Sequence, residues 1–171
     1  ADVSALTSAQ LQNLSGTQLQ ALTTGQIVAL STLQATQLTT AQIPQLTTAQ
    51  VAALETADLS ALSTAQIVKL TTEQAAALTA TQVSKLTTDQ VRALTSDQTK
   101  TLSATQVAAL NSSQVQALEA DDLNAAGGVR TKLLGNSDQI GSLTTAQLQG
   151  ISDASIAAMT TAQISALNTN V

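Results

Sequence analysis

Leucine recurs at every eighth position from Leu6 to Leu118 without a slip, and the residues between the leucines keep a fixed order. Four residues after most of them stands Gln, as at Gln10, Gln50, Gln82 and Gln114, with Asp58 and Asp122 as substitutes. An aliphatic follows directly, such as Leu11, Ile27, Val51 and Val115; Ala35, Ala75 and Thr99 are the weaker members. The unit reads Leu-Thr-Thr-x-Gln-aliphatic-x-x. One continuous helix does not fit it, because eight residues rotate the leucine row by about 80° per repeat and smear the apolar stripe around the cylinder. A β-solenoid is the alternative, but Leu and the aliphatic lie five apart and would face opposite sides of a strand.

The octad fits one short helix per repeat. The Thr or Ser after Leu is an N-cap, and the Gln three residues later completes a capping box, as in Thr47 with Gln50. Leu46 then sits at N′ and Val51 at N4, the positions of a hydrophobic staple. Charges agree with this polarity. Asp2, Glu55, Asp58, Glu73, Asp89, Asp97, Glu119, Asp121 and Asp122 fall at cap or first-turn positions, and Lys69, Lys85, Arg92 and Lys100 at the last turn, each sign where the helix dipole favours it. Such short helices persist only by stacking, so the predicted fold is an all-α solenoid. Leu and the N4 aliphatic are expected inside, with Thr, Gln and Ser outside. Pro44, within its octad, removes an intrahelical bond, which a broken helix tolerates best.

The octads lose definition near Gly127 and Gly128, then resume at Leu143, Ile151, Met159 and Leu167, displaced by one residue. The expected division is a solenoid over 1–125, an irregular Gly-containing insertion over 126–142, and a second octad block over 143–171. Asp122 to Gly127 suggests the start of a calcium loop, but the fifth and twelfth ligand positions hold Ala126 and Leu133, so a kink is expected instead.

Composition narrows the function. The 171 residues include no His, Cys, Trp, Tyr or Phe. Imidazole bases, thiolate nucleophiles, the usual zinc ligands and disulfides are therefore absent. Six Lys plus Arg against eleven acids cannot supply dense phosphate contacts, so nucleic acid is not an expected partner. No apolar run approaches a membrane span. Asp121 and Asp122 are an adjacent carboxylate pair already explained as first-turn acids. No catalytic, cofactor or metal residue is expected, and the protein is expected not to be an enzyme.

The run Leu-Thr-Thr-Ala-Gln-Val-Ala-Ala-Leu at 46–54, with relatives at 62–70, 86–94 and 143–151, resembles octapeptide arrays of large, adhesin-like bacterial secreted or surface proteins. The resemblance implies a stalk, spacer or fibre at the cell surface. The helix opening is also similar to that of TAL-effector repeats, whose greater repeat length and basic character are missing here. The chain opens at Ala1 without Met, which suggests a processed form or an excerpt. Asp2-Val3 and Ala162-Gln163-Ile164 look like mid-array residues, so continuation in a longer chain or head-to-tail stacking of copies into a filament is expected. Two alternatives are a partner-binding or passive spacer solenoid and an ice-binding face built from the Thr pairs at 23/24, 39/40, 47/48, 71/72, 87/88, 144/145 and 160/161. Asn13-Leu14-Ser15 and Asn111-Ser112-Ser113 match glycosylation acceptors.

Overall fold

The computed structural model describes residues 3–118, 132–133, 137–141, 143–149 and 161–167. After a 3-10 turn at Val3–Ala5 come α1 (Ser8–Gln12), α2 (Gly16–Gln20), α3 (Thr24–Val28) and α4 (Thr32–Gln37). A 3-10 turn at Ile43–Gln45 takes the next octad. Then follow α5 (Thr48–Ala53), α6 (Thr56–Ala61), α7 (Thr64–Ile67), α8 (Thr72–Ala77), α9 (Ala80–Lys85) and α10 (Thr88–Ala93). The series continues with α11 (Ser96–Thr101), α12 (Ala104–Ala108), α13 (Ser112–Ala117), α14 (Ser137–Ile140), α15 (Thr145–Gln149) and α16 (Thr161–Leu167). No strand occurs among the described residues, and the β-solenoid alternative falls with that.

Each helix starts as the octad dictates. Thr47 is extended at φ −72°, ψ 159°, its Oγ1 accepts from the Gln50 N–H, and the Gln50 side chain accepts from the Thr47 N–H. Most helices end at the leucine, as where Leu54 turns extended at φ −56°, ψ 135° and the next N-cap begins, while α1, α2, α3, α7 and α12 reach their C-cap one or two residues earlier. Two consecutive extended residues therefore redirect the chain once per octad. Pro44 tightens its octad to a 3-10 turn, yet the box between Thr39 and Gln42 survives intact.

Helices pack on those three octads further along: α5 on α8, α8 on α11, α4 on α6 and α9 on α12. The leucines and N4 aliphatics meet in one continuous core, where Ile27, Val51, Ile67 and Val91 are essentially inaccessible. Each such side chain contributes roughly 1.5–3 kcal/mol by leaving water. Ala35, Ala75 and Thr99 occupy N4 and are equally buried, so the position is inward whatever its size.

One expectation is corrected in part. Gln10 and Gln18 are exposed as expected, but from Gln34 to Gln114 every N3 glutamine is buried, Gln50, Gln74, Gln82 and Gln90 to 2% exposure. The capping box occupies only the side-chain oxygen, and the remaining amide hydrogens find partners inside the solenoid.

Candidate functional site

The glutamine amides tie each turn of the solenoid to the one before it. Gln82 Nε2 donates to the carbonyls of Val51 and Leu54, 31 and 28 residues earlier, at 2.9 and 2.8 Å. The same pair of acceptors recurs for Gln50 (Leu19, Leu22), Gln74 (Ile43, Leu46), Gln90 (Leu59, Leu62) and Gln114 (Val83, Leu86). These carbonyls lie at the ends of short helices, where intrahelical donors run out. One side chain thus caps its own helix at the start and another at the end. Each octad sits across the boundary between the octads three and four back, so a turn closes in about three and a half octads, near 28 residues.

That register carries through the irregular region. Gln139 Nε2 donates to Val107 and Leu110, and Gln147 Nε2 to Val115 and Leu118, at separations of 32 and 29. Both separations are one longer than in the first block, matching the one-residue displacement of the octads, and α14 lies inside the interval 126–142. Lys132 adds a donor of its own, its ammonium 2.8 Å from the Lys100 carbonyl. Partial burial lowers its pKa. Leu133 joins the core. Gly127, Gly128, Asp121 and Asp122, with most of the calcium-like stretch, lie outside the described residues.

The exposed charges behave as helix-terminal groups. Arg92 pairs with Asp89 at 2.8 Å and Lys100 with Asp97 at 3.0 Å, both three residues apart on one helix. Glu73, in the first turn of α8, has its pKa lowered by hydrogen bonds from its own backbone N–H and then from the Thr71 side chain. Glu55 and Asp58 are different: Glu55 is the N-cap of α6 but makes no side-chain cap bond, and Asp58 is buried at N3.

The Thr pairs spend their first hydroxyl on capping, while Thr24, Thr40, Thr48 and Thr88 are exposed. With three and a half octads per turn, successive pairs are carried around the rod, which does not gather them on one flat face. Both sequon asparagines are engaged at helix ends: Asn13 Nδ2 donates to the Ala9 carbonyl and Asn111 Oδ1 accepts from the Gln114 N–H. A cleft of about 320 Å³ between Gln12, Thr36, Thr39 and Ser63 contains no titratable group. Among the described residues no three His, Cys, Asp or Glu side chains cluster, and no helix is long and apolar enough to cross a membrane.

A family model for the ALTTAQ repeat matches residues 1–32, 51–88 and 136–169, together more than half of the chain. The chain belongs to the ALTTAQ-repeat family. The six letters of that name cover the stretch that builds the ladder, from the residue before the inward leucine to the N3 glutamine, as in Ala-Leu-Thr-Ala-Thr-Gln at 77–82. An ALTTAQ unit is therefore a staple, a cap and an inter-turn donor in succession. Neither the curated proteins nor the solved structures gave a match.

Proposed function

We propose that this chain is a structural rod of an extracellular fibre or filament, lengthened turn by turn within a longer stalk or by head-to-tail association of copies. The supporting observation is the amide ladder. Every turn offers the next one the same carbonyls and receives from it the same amides, so the number of octads alone sets the length. The ladder also has a direction, with the later turn always donating. A contact between copies that continues it is heterologous and does not close, which is the condition for a filament.

A cell-surface setting, as in bacterial adhesin-like proteins, suits the sparsely charged Thr, Ser and Ala exterior. A purely passive spacer within such a protein is the reading that remains if copies do not associate. Negative-stain electron microscopy over a dilution series of the purified chain separates the two. Uniform fibres that lengthen with concentration are the expected result. Short rods of constant length at every concentration reject self-association.

A further inference from the structure

Two octads depart from the consensus at the same two positions together. Glu55 stands where the other first-block octads have Thr, Ser or Asn, and Asp58 where they have Gln; Glu119 and Asp122 repeat the pair eight octads later. Neither change occurs in that block without the other. A single exchange would be drift within a capping box, whereas a coupled exchange of hydroxyl and amide for two carboxylates points to a shared task.

Asp58 is 1% exposed. Its Oδ1 accepts from Thr32 Oγ1 at 2.8 Å, and its Oδ2 has no partner. The ladder register assigns residue 58 the carbonyls of Ile27 and Leu30, 31 and 28 positions earlier, as it assigns Val51 and Leu54 to Gln82. A carboxylate has no hydrogen to give them. By that register the position gathers acceptors around a buried carboxylate oxygen that has no donor. A water molecule brings two hydrogens to at least three such oxygens. A hard cation serves them all at once, and carboxylates with backbone carbonyls are the ligands Ca²⁺ takes.

We propose that Asp58, the neighbouring Glu55 and the carbonyls of Ile27 and Leu30 form an inter-turn site for a hard divalent cation of the Ca²⁺ type. The ion does there what the glutamine amide does elsewhere: it neutralises the helix-end carbonyls of one turn from the next. The proposal departs from the sequence-based expectation that the chain has no metal ligand, and it is independent of whether copies associate.

The test uses the full chain stripped with a chelator, titrated with Ca²⁺ by calorimetry and melted by circular dichroism with Ca²⁺ or EDTA. At least one bound Ca²⁺ per chain is expected, with a rise in Tm of roughly 3–5 °C at about ten times the dissociation constant. The double variant Glu55→Thr/Asp58→Gln restores the pair that folds in the flanking octads, and it should lose one Ca²⁺ per chain while melting no lower than the parent in EDTA. No binding up to about 10 mM Ca²⁺, beyond the weakest extracellular sites, overturns the proposal. So does unchanged stoichiometry in the variant, or a parent Tm that ignores Ca²⁺.

Discussion

Gln50 and Leu22 are 28 residues apart in the chain, yet the glutamine Nε2 lies 2.8 Å from the leucine carbonyl. The same side chain accepts the Thr47 N–H through its oxygen. One residue type therefore links the start of its own helix to the end of a helix one turn below. Truncating it should cost more than an ordinary cap.

Gln82→Leu is expected to lower stability by roughly 2–4 kcal/mol, because it removes two inter-turn bonds and a cap partner from a buried position. Gln10→Leu should cost about 1 kcal/mol or less, since Gln10 is exposed and closes the capping box with Thr7. Chemical denaturation of the two variants measures the contrast. Equal losses would mean that the inter-turn bonds contribute nothing.

Gln82→Glu keeps the shape and reverses the chemistry. An ionised carboxylate facing the Val51 and Leu54 carbonyls raises that group's folded-state pKa above its unfolded value. The penalty is then fully present above the raised pKa and disappears as pH falls below the unfolded value near 4.3. Melting temperatures of parent and variant should converge between about pH 7 and pH 4. A constant gap would show that no charge is being penalised.

Glu73 gives the opposite sign. Its pKa is lowered in the folded state, so its stabilising contribution is present above the unfolded value and lost as pH falls through the lowered one. The group is fully exposed, so Glu73→Gln should produce only a small drop in Tm at neutral pH that vanishes in acid. A drop that persists in acid would place the effect elsewhere.

The register makes a deletion experiment decisive. Removing Thr79–Leu86, one whole octad, lets later glutamines pair 28 and 31 residues back as before. Removing only Thr79–Gln82 puts every later leucine out of phase with the turn below. Circular dichroism should show a cooperative melt close to the parent's for the first deletion. For the second, melting should be early or broad.

Much of this was legible locally. The cap of α5, its staple from Leu46 to Val51 and its end at Leu54 all follow from residues adjacent in sequence. The turn size was not, because it depends on the angles two extended residues set at each leucine and on packing across three octads. The burial of Gln50 was missed for a different reason: the capping box accounted for its oxygen and left its amide unexamined. A signal was present. Glu serves a capping box as well as Gln does, yet no octad of the first block has Glu at N3. That exclusion says the amide hydrogens are required. Asp58 is the first-turn acid its spacing predicts, but its burial and its unpartnered Oδ2 are not legible locally, because they depend on the turn packed against it.

The ladder also gives the rod a mechanical character. Its bonds join one turn to the next in series, so tension along the rod loads every turn alike and the weakest gives first. A released turn frees about 28 residues, and extended chain spans about 3.3–3.6 Å per residue. Each release should lengthen the rod by roughly 90–100 Å before the next turn gives, a sawtooth that single-molecule pulling would record. A rod built this way is expected to yield by instalments of one turn.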